Sequence, residues 1–133
     1  MKSLFIKPED EIEIKIYVAK NTDETEWFIS DKKESLESLE KTNKDTIVEH
    51  KVLFRVPSYG DDVIAYSKSI ETDGSSIKVN GAALQYERFI TLLKSWSFCD
   101  GLGNIIPTTD ENVRALSPEL AALIIDGLDR ATR

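Results

Sequence analysis

From Glu11 to Val18 the chain alternates with a period of two. Ile12, Ile14, Ile16 and Val18 fall on one face, and mostly charged residues take the other. Strict alternation is the pattern of a half-buried β-strand. A second, shorter strand is expected over residues 24–29, after a turn at Asn21-Thr-Asp-Glu. The third and longest spans residues 46–56, with Val48, His50, Val52, Phe54 and Val56 on one face. Pro57 ends it, because proline cannot donate to a ladder. Between the second and third strands, residues 31–45 are highly charged, and Leu36 and Leu39 are their only large apolar residues. That composition reads as a mobile hairpin loop, or one short helix, with a solvated face.

Beyond Pro57 the period becomes helical. Residues 61–70 read as a helix with Ser58 as N-cap and with Val63 and Ile70 pointing inward. Asp73-Gly-Ser-Ser76 breaks it, and Ile77-Lys-Val79 is too short to assign. From Ala82 to Trp96, Tyr86, Phe89, Ile90, Leu93 and Trp96 recur at helical spacing, with Leu92 widening the stripe. Asp100-Gly-Leu-Gly-Asn104 is a turn. Thr108-Thr-Asp-Glu111 fits a capping box that opens a short helix through Leu116. Ser117 then caps a last helix with Pro118 at its first position, where a missing N–H costs nothing. Leu120, Leu123, Ile124, Gly127 and Leu128 make its buried stripe.

Strands followed by helices predict an α+β fold: an N-terminal antiparallel sheet of about three strands, then a C-terminal cluster of three to four helices. A single domain over 1–133 is expected, β-rich over 1–57 with the charged loop 31–45, and α-rich over 58–133. The expected core comprises Val52, Phe54, Tyr86, Phe89, Leu93, Trp96, Leu120, Leu123 and Ile124.

Composition narrows the functional classes. A length of 133 residues suffices for one core without staples. The net charge of −7 argues against nucleic-acid binding, which needs a basic patch to displace counterions, and so against Trp27, Trp96 and the phenylalanines as base-stacking platforms. No apolar run approaches the length of a membrane span. The segment Met1-Lys-Ser-Leu-Phe-Ile-Lys-Pro8 lacks the apolar region and cleavage site of a signal peptide. One cysteine excludes an internal disulfide and a multi-cysteine zinc site, and cytoplasm is the default compartment.

Each candidate for chemistry has a sufficient structural explanation. His50, the only histidine, sits on an apolar strand face. Without a second histidine a His-paired zinc site has no ligands. Cys99 lies between Phe98 and a glycine turn, where Lys94 and Asp100 cancel, so it reads as a small buried hydrophobe. Asp61-Asp62 and Asp110-Glu111 each fall in a helical first turn, where negative charge complements the macrodipole. Leu102 occupies a position where a calcium loop needs oxygen, and no strand or lysine flanks Gly101 and Gly103 as a phosphate loop requires. The chain is therefore expected to be no enzyme and to use no metal or cofactor.

Two stretches carry a resemblance. Val52-Leu-Phe-Arg-Val-Pro-Ser-Tyr-Gly-Asp61 resembles the strand, Arg-x-Pro-Thr/Ser-x-Gly-Asp, helix opening of small tail assembly chaperones of tailed bacteriophages. Tyr86 to Val113 resembles their second half: a helix ending in Trp, an Asp/Gly turn, a hydrophobic-Pro pair, Thr-x-Glu-Asn, then Leu-x-Pro-Glu-Leu, here Leu116-Ser-Pro-Glu-Leu120. Together they cover about half the chain, and the first forty-five residues do not align. The resemblance implies a host-cytoplasmic assembly factor that binds amphipathic helices of the tape measure protein until tube subunits polymerise around them. It is equally compatible with a virion subunit: neck, tail-completion, baseplate or capsid-decorating. Partners are then other phage structural proteins, or a second copy, with no nucleic acid and no membrane. The expected contact residues are Ile12, Ile14 and Ile16 on the first strand, Trp27 on the second, and Leu36 and Leu39 in the charged loop.

Overall fold

A computed structural model describes residues 4–132, apart from the side chain of Asp73. Residues 1–3, with which the segment read against a signal peptide begins, lie outside it, as does residue 133. Six strands are described, β1 (Glu11–Lys20), β2 (Trp27–Ser30), β3 (Val48–Arg55), β4 (Ile70–Asp73), β5 (Ser76–Val79) and β6 (Leu93–Trp96). Five α-helices accompany them among the described residues: α1 (Lys33–Glu37), α2 (Tyr59–Ser69), α3 (Gly81–Leu92), α4 (Asp110–Arg114) and α5 (Pro118–Ala131). No helix among them is long and apolar enough to cross a membrane.

The mixed class holds, but the sheet is larger than expected and draws on both halves of the chain. Its order is β2-β1-β3-β6, all antiparallel. The alternation in β1 does what it predicts. Ile14 and Ile16 face a core shared with Val52, Phe54, Phe89, Leu92, Trp96, Ile124 and Leu128, while Tyr86, Leu93, Leu120 and Leu123 pack half-buried against it. The rings of Phe54 and Phe89 meet edge to face at 5.2 Å.

The helix expected to run to Trp96 stops at Leu92, and Leu93–Trp96 becomes the edge strand β6. Leu93 pairs with Phe54, Ser95 with Leu53 and Trp96 with Val52, leaving Lys94 as an extra residue in a bulge. In a regular strand, residues three apart face opposite ways; the bulge turns Leu93 and Trp96 to the same face. Their i, i+3 spacing imitates a helix for this reason. The helix expected to reach Ile70 stops at Ser69, and Ile70 joins the expected break at 73–76 and the unassigned 77–79 in the hairpin β4–β5, with Gly74 in the left-handed region at φ 62°.

Three local expectations also change. Residues 31–45 hold α1 and enter a 3₁₀ turn at Lys44–Thr46, and α1 packs on β1 and β2 with Leu36 buried. Thr109, not Thr108, caps α4 by accepting from the Asn112 N–H. Ser58 caps α2 as expected, with Asp61 completing a capping box, but the inward residues are Ala65 and Ser69; Val63 and Ile70 are exposed.

Candidate protein-binding surface

The exposure of Val63 and Ile70 leads to the most distinctive surface of the molecule. On α2, Tyr59, Val63, Tyr66 and the following Ile70 recur at helical spacing and are 86%, 47%, 50% and 47% exposed. They form one stripe, turned roughly 100° around the helix from Ala65 and Ser69, given 3.6 residues per turn. α2 packs its Ala65 and Ser69 side against α3, so the stripe is left uncovered. The register of the hairpin extends it: Ile70 pairs with Val79 and Thr72 with Ile77, which places these four side chains on one face. Ile77 is 72% and Val79 48% exposed. Single exposed apolar residues need no explanation, but six on one helix face and the adjoining hairpin face make a candidate contact surface.

The band is held in place by polar groups at its root. Arg55, the last residue of β3, donates from Nη1 to Asp61 Oδ2 and from Nη2 to Asp61 Oδ1, at 3.1 and 3.0 Å. Nη2 also donates to the Thr91 carbonyl at 2.9 Å, near the end of α3. Asp61 Oδ2 accepts from the Ser58 N–H, and Ser58 Oγ accepts from the Asp61 N–H. Burial acts to raise the Asp61 carboxyl, but hydrogen bonds from Arg55 and Ser58 and the guanidinium charge outweigh it and hold the group below the ordinary carboxylate range.

The contact residues expected from sequence separate. Ile14, Ile16 and Leu36 are buried in the folded chain, because the inner face of β1 is covered and α1 turns Leu36 inward. They cannot serve as an outer docking face. Ile12 is half-buried against the core. Trp27 and Leu39 are exposed, and Lys20 Nζ sits 5.1 Å from the Trp27 ring. The α2 stripe was legible in the same spacing that predicts the helix; the missed signal is that 59, 63, 66 and 70 continue it one position past the helix end.

The candidates for chemistry are positioned as follows. His50 Nδ1 lies 3.2 Å from Ser97 Oγ, which accepts the Lys51 N–H, and the ring tilts against Phe98 at 4.9 Å. Cys99 is exposed rather than buried, because Trp96 and Phe98 turn inward and Cys99 enters the outer bridge to Ile105. Asp100 Oδ1 accepts from the N–H groups of Leu102 and Asn104, so its carboxylate closes its own turn. Among the described residues no three His, Cys, Asp or Glu side chains are grouped to hold a metal ion.

A second unpartnered feature lies at the opposite edge of the sheet from β6. β2 pairs only with residues 17–20 of β1, so among the described residues β1 from Glu11 to Ile16 has β3 on one side and no strand on the other. Compared with protein-family models, curated proteins and solved structures, the chain finds no significant match in any of the three.

Proposed function

We propose that this chain is a non-enzymatic bacteriophage assembly protein of the tail-assembly-chaperone kind, which holds amphipathic helices of a tape measure protein on the stripe of α2 and the β4–β5 hairpin. The observation that carries this reading is the stripe itself, with Tyr59, Val63, Tyr66, Ile70, Ile77 and Val79 uncovered on two adjoining elements. An α2 of 11 residues offers a track about 16 Å long, the length of three helical turns of a partner.

The magnitudes favour a reversible hold. Completing the burial of these side chains, four of them about half exposed and Tyr59 and Ile77 more so, gains on the order of 1–2 kcal/mol each, so six supply about 6–12 kcal/mol, against an association cost of about 4–15 kcal/mol. Such a balance suits a factor that must release its client when tube subunits arrive. The net charge of −7 keeps a complex with an apolar client in solution, in the host cytoplasm.

A permanent virion subunit in a neck, tail-completion, baseplate or capsid-decorating position is the second reading. The open edge of β1 favours it, since an unpaired strand edge accepts a neighbour's strand. Mass spectrometry of purified mature virions separates the two: a chaperone is missing from the particle, whereas a subunit occurs in a fixed symmetric copy number.

A further inference from the structure

Antiparallel pairing turns the N–H and C=O of successive residues to opposite sides of a strand. Lys20 donates to Thr46 Oγ1 and its carbonyl accepts from the Asn43 N–H, towards β3, whereas the Asn21 N–H goes to the Glu26 carbonyl, towards β2. Even-numbered residues of β1 therefore bond β3, and odd-numbered ones face β2. With β2 reaching only to Tyr17, opposite Ser30, the backbone groups of Glu11, Glu13 and Lys15 face a gap in the sheet.

The gap has a floor. A hollow of about 570 Å³ opens there, with Ile14, Leu123, Gly127 and Ala131 as its apolar lining and a charged rim that includes Asp31 paired with Arg130 at 3.2 Å. A Cβ on Gly127 would stand 2.9 Å from Ile14 Cγ2, so α5 already lies close beneath β1. A neighbouring sheet with its own covering helix would not fit beside it. Adjacent strands lie about 4.8 Å apart, while packed helices need about 8–10 Å. A lone extended segment resting on α5 would fit there.

The chain carries one. Leu4-Phe5-Ile6 is a run of three apolar residues, with Leu4 97% and Phe5 83% exposed. A turn leads it into β1: the Asp10 N–H donates to the Lys7 carbonyl at 3.0 Å, and the Lys7 N–H donates to Asp10 Oδ2 at 2.9 Å. The Asp10 carbonyl accepts from the Val56 N–H, so this turn stands on the β3 side and holds the arm away from the gap in its own sheet.

We propose that residues 4–6 of a second copy add to the open edge of β1 as a fifth strand, reciprocally, in a two-fold dimer. Sedimentation equilibrium of the full chain tests this, together with Phe5→Asp, which places a charge on the inserting arm, and Glu13→Pro. The proline removes only an N–H that faces the gap, so the β1–β3 ladder persists. The expected result is twice the monomer mass for the parent, and loss of the dimer in both variants with unchanged circular dichroism. A parent that stays monomeric, or a dimer that survives either variant, overturns the proposal. The α2 stripe plays no part in this test.

Discussion

Arg55 and Asp61 form a two-point ion pair, at 3.1 and 3.0 Å, that joins the end of β3 to the first turn of α2. The same guanidinium reaches the Thr91 carbonyl of α3. Bidentate pairing fixes direction as well as distance, so this contact sets how α2 leaves the sheet and how its apolar stripe is presented. The run Arg55-Val-Pro-Ser-Tyr-Gly-Asp61 thereby gains a physical meaning. Arg55 and Asp61 clasp, Pro57 stops the strand and Ser58 caps the helix.

Asp61→Asn is expected to lower stability at neutral pH by about 1–3 kcal/mol, the usual effect of weakening a charged, part-buried hydrogen-bonded pair. The folded pKa of Asp61 lies below its unfolded value. Its stabilisation is therefore complete above the unfolded pKa, near 4, and is lost as pH falls through the lower folded value. Urea melts between about pH 5 and pH 2 should show a shallower acid loss in the variant than in the parent. Equal slopes would mean that the pair contributes nothing to folding.

Trp96 is 5% exposed and its Nε1–H donates to the Ile106 carbonyl, pinning the segment after β6 to the sheet. Trp96→Ala is expected to cost roughly 3–5 kcal/mol, enough to unfold a domain of ordinary stability. A thermal melt equal to the parent's would contradict the placement of Trp96 in the core.

Gly127→Ala sets two effects against each other. In a helix interior alanine is favoured over glycine by about 1 kcal/mol. The new Cβ, however, would stand 2.9 Å from Ile14 Cγ2 and 3.2 Å from Cδ1. Ile14 is β-branched and buried, so it cannot swing aside, and overpacking typically costs about 1–3 kcal/mol. Net destabilisation is expected, with less than additive cost when Ile14→Ala is added. A raised melting temperature in the single variant would show that α5 has room to shift.

Much of this fold could be read from periodicity. β1, α5 and the second half of β3 follow their patterns, because each buries one face against a single core that takes in Ile14, Val52 and Ile124, whereas Val48, expected on the inner face of β3, is 47% exposed where the strand runs beyond that core. Two of the failures share a cause: two structures with one spacing. Leu93 and Trp96 fit a helix until a bulge allows the same pair to face inward from a strand. Val63 and Ile70 fit an inward helical face, yet α3 takes the Ala65 and Ser69 side instead. Small residues decide that packing, and hydrophobicity alone does not announce it. The Arg55–Asp61 clasp lay in plain view as a motif, but only the turn between them shows that they meet.

The most direct test of the proposed function is binding of the full chain to a tape measure protein encoded near it, by co-expression and calorimetry, with the parent compared against Val63→Glu and Tyr66→Glu. Both residues are about half exposed, so the variants should keep their stability to within about 0.5 kcal/mol. The account predicts a soluble complex with the parent and its loss in both variants. A folded parent that forms no complex, or variants that bind as well as the parent, would contradict it.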